Sequence, residues 1–257
     1  MTKITLDVHQ FPCLNDNYGY LVHEAYSGET AAIDTPDADK YLAEAKRMGW
    51  TITHILNTHW HPDHAGGNMK IKDETGCTIY GPAGEAEKIP GIDVKLAEGD
   101  TVELGRATAR VLDVPGHTLG HIAYHFAEQE KAFVGDALFA LGCGRVFEGT
   151  MDMMWASLSK LKALPPETLV YCAHEYTQAN ARFAETIETG NADLAAYIQD
   201  IDARRAKGQP TVPTRLEKEL ATNPFLRADV PELQAAMGHP GDAAATFAEI
   251  RSRKDSF

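Results

Sequence analysis

Residues Thr58 to Gly67 read Thr-His-Trp-His-Pro-Asp-His-Ala-Gly-Gly, and the fold turns on this stretch. Four side chains that bind metals well, His59, His61, Asp63 and His64, fall within six positions. Pro62 blocks ordinary helix up to His61. The i, i+2 spacing of His59 and His61 suits an extended segment, where alternate side chains share a face. A helical zinc site instead sets its histidines one turn apart. Pro62 can open a short helix at its first turn, which sends Asp63 and His64 in other directions. The stretch is thus a metal site, and its geometry suggests two metals rather than one.

Directly before it, Thr51 to Asn57 is rich in β-branched and apolar residues and reads as a strand that delivers the chain into the ligands. His54, inside that strand, reads as a hydrogen-bonded interior histidine. Three later runs end in the same way. Ala107 to Val114 alternates as a half-buried strand and stops at Pro115-Gly116-His117. Ala132 to Gly135 ends in Asp136, a carboxylate that is costly after an apolar strand unless capped or bound to cations. Leu169 to Ala173 ends in His174. His121, four residues on, and His125, in the strand Ile122 to Phe126, compete with His117. The Pro-Gly turn favours His117, leaving His121 behind the ligands and His125 structural. Strand ends that carry ligand types would line one edge of a sandwich. Short strands in two groups separated by helices fit an αββα layering.

Working outward, Ile4, Leu6 and Val8 alternate ahead of Asn15 to Gly19, which reads as a turn leading to the strand Tyr20 to Val22, and Thr30 to Ile33 is a third strand. Asp37 to Met48 sets Tyr41, Leu42, Ala45 and Met48 on one helical face, closed by Gly49. Asn17 and Asp34 read equally as the rim of a site or as turn and cap residues. Asn68 to Thr75 reads as helix, Thr78 to Tyr80 as strand and Gly81 to Asp100 as irregular connection. Thr177 to Ala206 is helix-forming with a break at Gly190-Asn191, Pro210 and Pro213 mark a loop, and Leu216 to Ala221 and Ala243 to Arg253 suggest further helices. The expected division is a metal-binding domain over residues 1–175 and a mostly helical one over 176–257. Arg251, Arg253 and Lys254 cluster near the end; taken alone they read as a solvated helix terminus complementing the dipole.

Composition narrows the partners. With 24 basic against 37 acidic residues the formal net charge is -13, which repels polyanions and argues against nucleic acid. An anionic substrate needs a local basic patch. The four cysteines, Cys13, Cys77, Cys143 and Cys172, form no CxxC pair and read as buried free thiols. The opening Met-Thr-Lys-Ile-Thr-Leu-Asp lacks a signal-peptide core, and no apolar run approaches membrane-spanning length. The expectation is a cytoplasmic protein with a small-molecule substrate, no membrane and no obligate protein partner.

The HxHxDH run after a short apolar strand resembles the metallo-β-lactamase superfamily. More specific runs are Gly142-Cys143-Gly144 with Glu148-Gly149, His174-Glu175-Tyr176-Thr177, Asn223 to Leu226, and the final Arg251-x-x-Lys254-Asp255-x-Phe257. Together they resemble glyoxalase II, the hydroxyacylglutathione hydrolase family, along nearly the whole chain. The resemblance implies a four-layer αββα sandwich of the α/β class followed by a C-terminal helical domain. It implies two divalent metal ions, one held by His59, His61 and His117, the other by Asp63, His64 and His174, with Asp136 bridging. A hydroxide shared between two cations is available near neutral pH, and Asp63 would orient it. Zinc is the first choice, while iron and manganese suit the same ligands. Residues matching Arg251 and Lys254, with Arg145, would hold the glycine carboxylate of glutathione, and Tyr176 would contact it. The family often has lysine at Arg145 and tyrosine at Phe147. Arginine keeps the charge as a planar fork, whereas Phe147 lacks the hydroxyl and is left with packing. The implied reaction is hydrolysis of S-(2-hydroxyacyl)glutathione, S-D-lactoylglutathione above all, to glutathione and D-lactate in methylglyoxal detoxification. The rival is a glutathione persulfide dioxygenase with one iron.

Overall fold

The computed structural model describes residues 4–257; Met1 to Lys3, which open the segment read as lacking a signal-peptide core, lie outside the described residues. Strand β1 (Asp7–Cys13) pairs antiparallel with β2 (Asn17–Glu24), Asp7 facing His23 and Cys13 facing Asn17. It starts later than the Ile4 alternation suggests. It also accommodates Pro12, because β1 is the sheet's edge and Pro lacks only an N–H that no neighbour needs. Strand β3 (Glu29–Ile33) continues antiparallel. Strands β4 (His54–Leu56), β5 (Thr78–Pro82) and β6 (Val94–Leu96) then add in parallel, completing a mixed sheet in the order β1-β2-β3-β4-β5-β6.

Parallel neighbours need crossovers, and helices supply them. Helix α1 (Ala38–Met48) starts where the Asp37 carboxylate accepts from Lys40 N at 3.1 Å. It ends at Gly49, whose φ of 73° closes the last turn as only glycine does without strain. Its buried Tyr41 donates to the Ile33 carbonyl at 2.8 Å, pinning helix to sheet. The short α2 (Pro62–Ala65) has Pro62 at its first position, and α3 (Asn68–Thr75) follows. Phe11, Leu21, Tyr41, Ile55, Ile71 and Ile79 belong to the core these elements share. Full burial of each such side chain is worth about 1.5–3 kcal/mol.

The expected strand Thr51 to Asn57 is paired only over His54 to Leu56. Asn57 N still donates to the Tyr80 carbonyl at 2.9 Å, but Thr58 N turns to Asp34 Oδ1 at 2.8 Å, and the Asn57 side-chain Nδ2 donates to the His64 carbonyl at 2.9 Å. Strands β7 (Thr101–Leu104), β8 (Ala107–Asp113), β9 (Ile122–Phe126) and β10 (Lys131–Gly135) form an antiparallel meander. Within the stretch expected to be irregular, β6 and a 3-10 turn at Ala83–Lys88 add order.

By contact density the chain separates into two units, Met1–Asp113 with Thr118–Gly135, and Val114–His117 with Asp136–Phe257. All elements so far fall in the first. The second begins with a hairpin, β11 (Leu138–Phe139) and β12 (Gly142–Cys143). Helix α4 (Met151–Lys162), an element not expected from the sequence, is capped by Thr150 Oγ1 accepting from Met153 N at 3.2 Å. Strand β13 (Leu169–Cys172) pairs antiparallel with the two-residue β14 (Thr214–Arg215). Helices α5 (Thr177–Ile187) and α6 (Ala192–Arg205) break at Gly190-Asn191 as expected, with Asn191 capping α6. Then come α7 (Leu216–Thr222), α8 (Pro231–Met237) and α9 (Ala243–Ser256). None of the described helices is long and apolar enough to cross a membrane. All four cysteines are buried free thiols.

Candidate metal centre

In the first unit one carboxylate organises the histidine run. Asp34, buried and held at a φ of 52°, follows β3. Its Oδ2 accepts from His64 Nδ1 at 2.9 Å and from Thr58 Oγ1 at 2.9 Å. Because the Thr58 hydroxyl donates to Asp34, it accepts from His59 Nδ1, 3.0 Å away. Both imidazoles therefore carry their proton on Nδ1 and present a lone pair at Nε2, the form a metal takes. His59 Nε2 lies 3.0 Å from His61 Nδ1, and His64 Nε2 lies 3.6 Å from Asp63 Oδ2. Asn17 Nδ2 donates to Asp63 Oδ2 at 3.2 Å and to its carbonyl at 3.3 Å. The two readings of Asn17 and Asp34 thus resolve: both side chains fix residues of the run. Buried Glu85 does related work, accepting from Trp60 N at 2.8 Å and Gly120 N at 2.9 Å. Glu85 is not among the residues expected from sequence, because a lone glutamate in a Gly-Pro-rich stretch carries no local signal.

His121 stacks on His59 with ring centroids 4.6 Å apart, behind the run as expected. His125 is buried within β9, and burial, then the nearby Arg110, pushes its pKa down. His54, half-buried, bonds Thr53 Oγ1 at 2.8 Å and stacks on Tyr80, the hydrogen-bonded role expected of it without full burial.

In the second unit Asp136 is flanked on both oxygens. Oδ2 is 3.4 Å from His117 Nε2 and Oδ1 is 3.4 Å from His174 Nε2. The Nδ1 of His117 donates to the Arg145 carbonyl at 2.8 Å, so in the neutral ring Nε2 is a lone pair. A lone pair facing a carboxylate oxygen at 3.4 Å is repulsive unless a cation or proton lies between them. The donor set therefore fits divalent ions, and a carboxylate with one histidine on each oxygen suits a bridge. Gly144 is required here, since a Cβ would collide with the Asp136 carbonyl oxygen.

The expected substrate residues lie in the same unit. Arg145 is more than half exposed, and its Nε is 3.3 Å from Asp255 Oδ1. Arg251 is only 4% exposed; it donates to the Cys143 carbonyl at 3.0 Å and pairs with Asp255 at 3.0 Å. Lys254 Nζ donates to the Ala179 carbonyl at 3.2 Å. Burial, then Arg251 and Arg182, push its pKa below the ordinary lysine value. The ring of Tyr176 is parallel to that of His174 within 1°, with centroids 4.8 Å apart. Phe147, expected only to pack, is 61% exposed with its ring 5.2 Å from that of His117.

Among the described residues, His59, His61, Asp63, His64, His117, Asp136 and His174 supply three groups of three side chains able to hold a metal ion. The fold and this donor set define a protein of the metallo-β-lactamase class, and the pattern described as the metallo-beta-lactamase superfamily matches residues 24–174. A pattern described as the hydroxyacylglutathione hydrolase C-terminus matches residues 175–257. A hydroxyacylglutathione hydrolase from Hyphomonas neptunium is 70% identical over 99% of this chain and 100% of its own length. One from Erythrobacter litoralis is 61% identical over 98% and 100%. The chain belongs to the hydroxyacylglutathione hydrolase family. Among solved structures, ETHE1 from Myxococcus xanthus superposes with a TM-score of 0.69 at 26% identity, covering 96% of this chain and 90% of that one. TTHA1623 in a di-iron-bound form gives 0.57 at 28%, over 65% and 91%. The fold class is thus the four-layer αββα sandwich with a C-terminal helical region. Family and ligand groups together support a site for two metal ions.

Proposed function

We infer that this protein hydrolyses the thioester of S-(2-hydroxyacyl)glutathione, chiefly S-D-lactoylglutathione, releasing glutathione and D-lactate in methylglyoxal detoxification. The observation that carries this reading is continuity: the family resemblance runs through both the ligand-bearing part and the helical tail. Its break at residues 174 and 175 supports a functional division into 1–175 and 176–257.

In this reading His59, His61 and His117 would hold one ion, Asp63, His64 and His174 would hold the other, and Asp136 would serve both. When bound, such ions supply Lewis acidity and make water a nucleophile near neutral pH. The chain's own groups do the rest. Asp34, Thr58 and the Arg145 carbonyl keep His64, His59 and His117 in the required tautomers. Asp63 is 40% exposed and tethered by Asn17, which supports the role of orienting the attacking oxygen. Arg145 and Lys254 offer the cations for the glutathione carboxylate, Tyr176 offers its ring, and buried Arg251 supports them from behind. The departing thiolate, with a free pKa of about 8.5, needs no strong general acid. Zinc is the first choice of metal, with iron or manganese fitting the same donors. Buried reduced cysteines support a cytoplasmic setting.

The test is loss of thioester absorbance from S-D-lactoylglutathione with purified, metal-replete protein. Absence of turnover sinks the reading. Oxygen uptake with glutathione persulfide would favour the dioxygenase alternative, against which the second ligand set argues. Elemental analysis after expression under defined metal supply decides the metal.

A further inference from the structure

The hairpin that follows Asp136 is gripped at every turn position by side chains from far along the sequence. Asn180 Nδ2 donates to the Ala140 carbonyl at 3.1 Å. Asn223 Nδ2 donates to the Phe139 carbonyl at 3.2 Å and the Gly142 carbonyl at 3.1 Å. Leu141 N donates to Glu219 Oε2 at 2.8 Å, and Arg251 Nη1 donates to the Cys143 carbonyl at 3.0 Å. Leu141 itself is held at a φ of 57°, a conformation an L-residue keeps only when its surroundings impose it.

Glu219 is the centre of this grip. Fully buried, it accepts from Leu141 N and Asn223 Nδ2 (3.0 Å) on one oxygen, and from Thr214 Oγ1 (2.7 Å) and Tyr197 OH (3.3 Å) on the other. Burial pushes its pKa up and these hydrogen bonds oppose the shift. A carboxylate surrounded by four donors is fully satisfied, and such a network rigidifies what it touches. It touches the segment whose one end is Asp136 and whose other end supplies the Arg145 carbonyl to His117 and the Cys143 carbonyl to Arg251.

We propose that Glu219, with Asn223, is a positioning residue: it fixes the Leu138–Cys143 hairpin so that Asp136, His117 and Arg145 keep their mutual geometry. No part of Glu219 need approach substrate or metal. The proposal rests on the hydrolase reading only for its kinetic readout.

The test compares Glu219→Ala with Glu219→Gln in the full-length, metal-loaded protein. Glutamine keeps an oxygen for Leu141 N and Asn223 Nδ2, and turns its amide toward two hydroxyls that can accept. Alanine leaves the Leu141 N–H without a partner. Per folded, metal-replete molecule, E219A is expected to lose about tenfold or more in kcat/KM and to release metal to a chelator about tenfold faster, while E219Q stays within about twofold on both. The proposal is overturned if folded, fully loaded E219A keeps wild-type kcat/KM and metal retention and differs only in Tm. Should E219A not fold, Asn223→Ala, which spares the Leu141 bond, carries the same two measurements: a loss in both supports the proposal and wild-type values in both overturn it. If wild-type protein fails to turn over lactoylglutathione, the hydrolase reading falls, and chelator release alone decides the role of Glu219.

Discussion

Asp34 Oδ2 accepts the Nδ1 proton of His64 at 2.9 Å, while the same residue accepts from Thr58 N and Oγ1. One buried carboxylate thereby sets the tautomer of His64 directly and that of His59 through a hydroxyl. Asp34→Ala should lower metal affinity by about 10–100-fold, the usual effect of removing a partner that orients a ligand. Metal content after dialysis against a graded chelator series measures it. Retention equal to wild type would show that the histidines need no such support.

Arg145 and Arg251 differ in burial and should differ in phenotype. Arg145→Ala removes an exposed cation held by Asp255, so KM for the glutathione thioester should rise about tenfold with Tm unchanged. Arg251→Ala strips the Cys143 carbonyl and Asp255 of a buried charged donor, costing about 2 kcal/mol of stability besides raising KM. At this chain length that is a fall of roughly 4–8 °C in Tm. Melting curves alongside initial rates separate the two. A rise in KM for R251A without a fall in Tm would place its guanidinium in direct contact with substrate instead.

Much of this site is legible in the sequence because its ligands sit where strands end. His59 to His64, Asp136 and His174 each follow an apolar run, and a short segment suffices to recognise them. What orients them is harder to see. Asp34 lies 30 positions from His64, and as a residue after a strand it reads equally as a turn. The hairpin Leu138–Cys143 has no alternation, since every residue in it is buried, and its polar groups are satisfied from α5, α7 and α9. Helix α8, by contrast, is not expected from the sequence although it carries a local signal, Pro231 at its first position. For Phe147 the missing hydroxyl suggests packing, and only the structure shows that the ring it packs beside is that of His117, at an exposed position.

Acid should weaken the first unit through two carboxylates. Hydrogen bonding from Arg106, helped by Ser27, holds Glu24 at about 2, and hydrogen bonding from His9, then Arg47 and Lys40, holds Glu44 at about 2. In the unfolded chain both return to about 4.5. A lowered folded value means that stability is fully present above pH 4.5 and drains away as pH falls toward 2. Arg106→Met removes the largest part of the Glu24 share. The gap in urea midpoint between wild type and R106M should therefore be constant from pH 7 to about 5 and narrow below it. A gap at about pH 3 as large as at pH 7 would assign the Arg106 contribution to its packing on Tyr26 rather than to charge.

The cysteines should be silent until the protein unfolds. Burial pushes Cys13 up to about 12, with Asp37 adding to the effect, Cys172 up to about 12, and Cys143 up to about 11 against the opposing pull of Arg251. Cys77 is raised as well, again chiefly by burial. The reactive species is the thiolate, and none of these thiols ionises appreciably at about pH 8. A disulfide reagent at that pH should label none of the four in native protein and all four in guanidinium. Hydrolase activity should survive the native treatment unchanged. The informative exception is Cys143, whose Sγ lies 3.7 Å from Arg251 Nη1 in the hairpin. Selective labelling there would mean that the hairpin opens on the reagent's timescale, a motion that the grip of Glu219 and Asn223 is expected to suppress in wild type and to release in E219A.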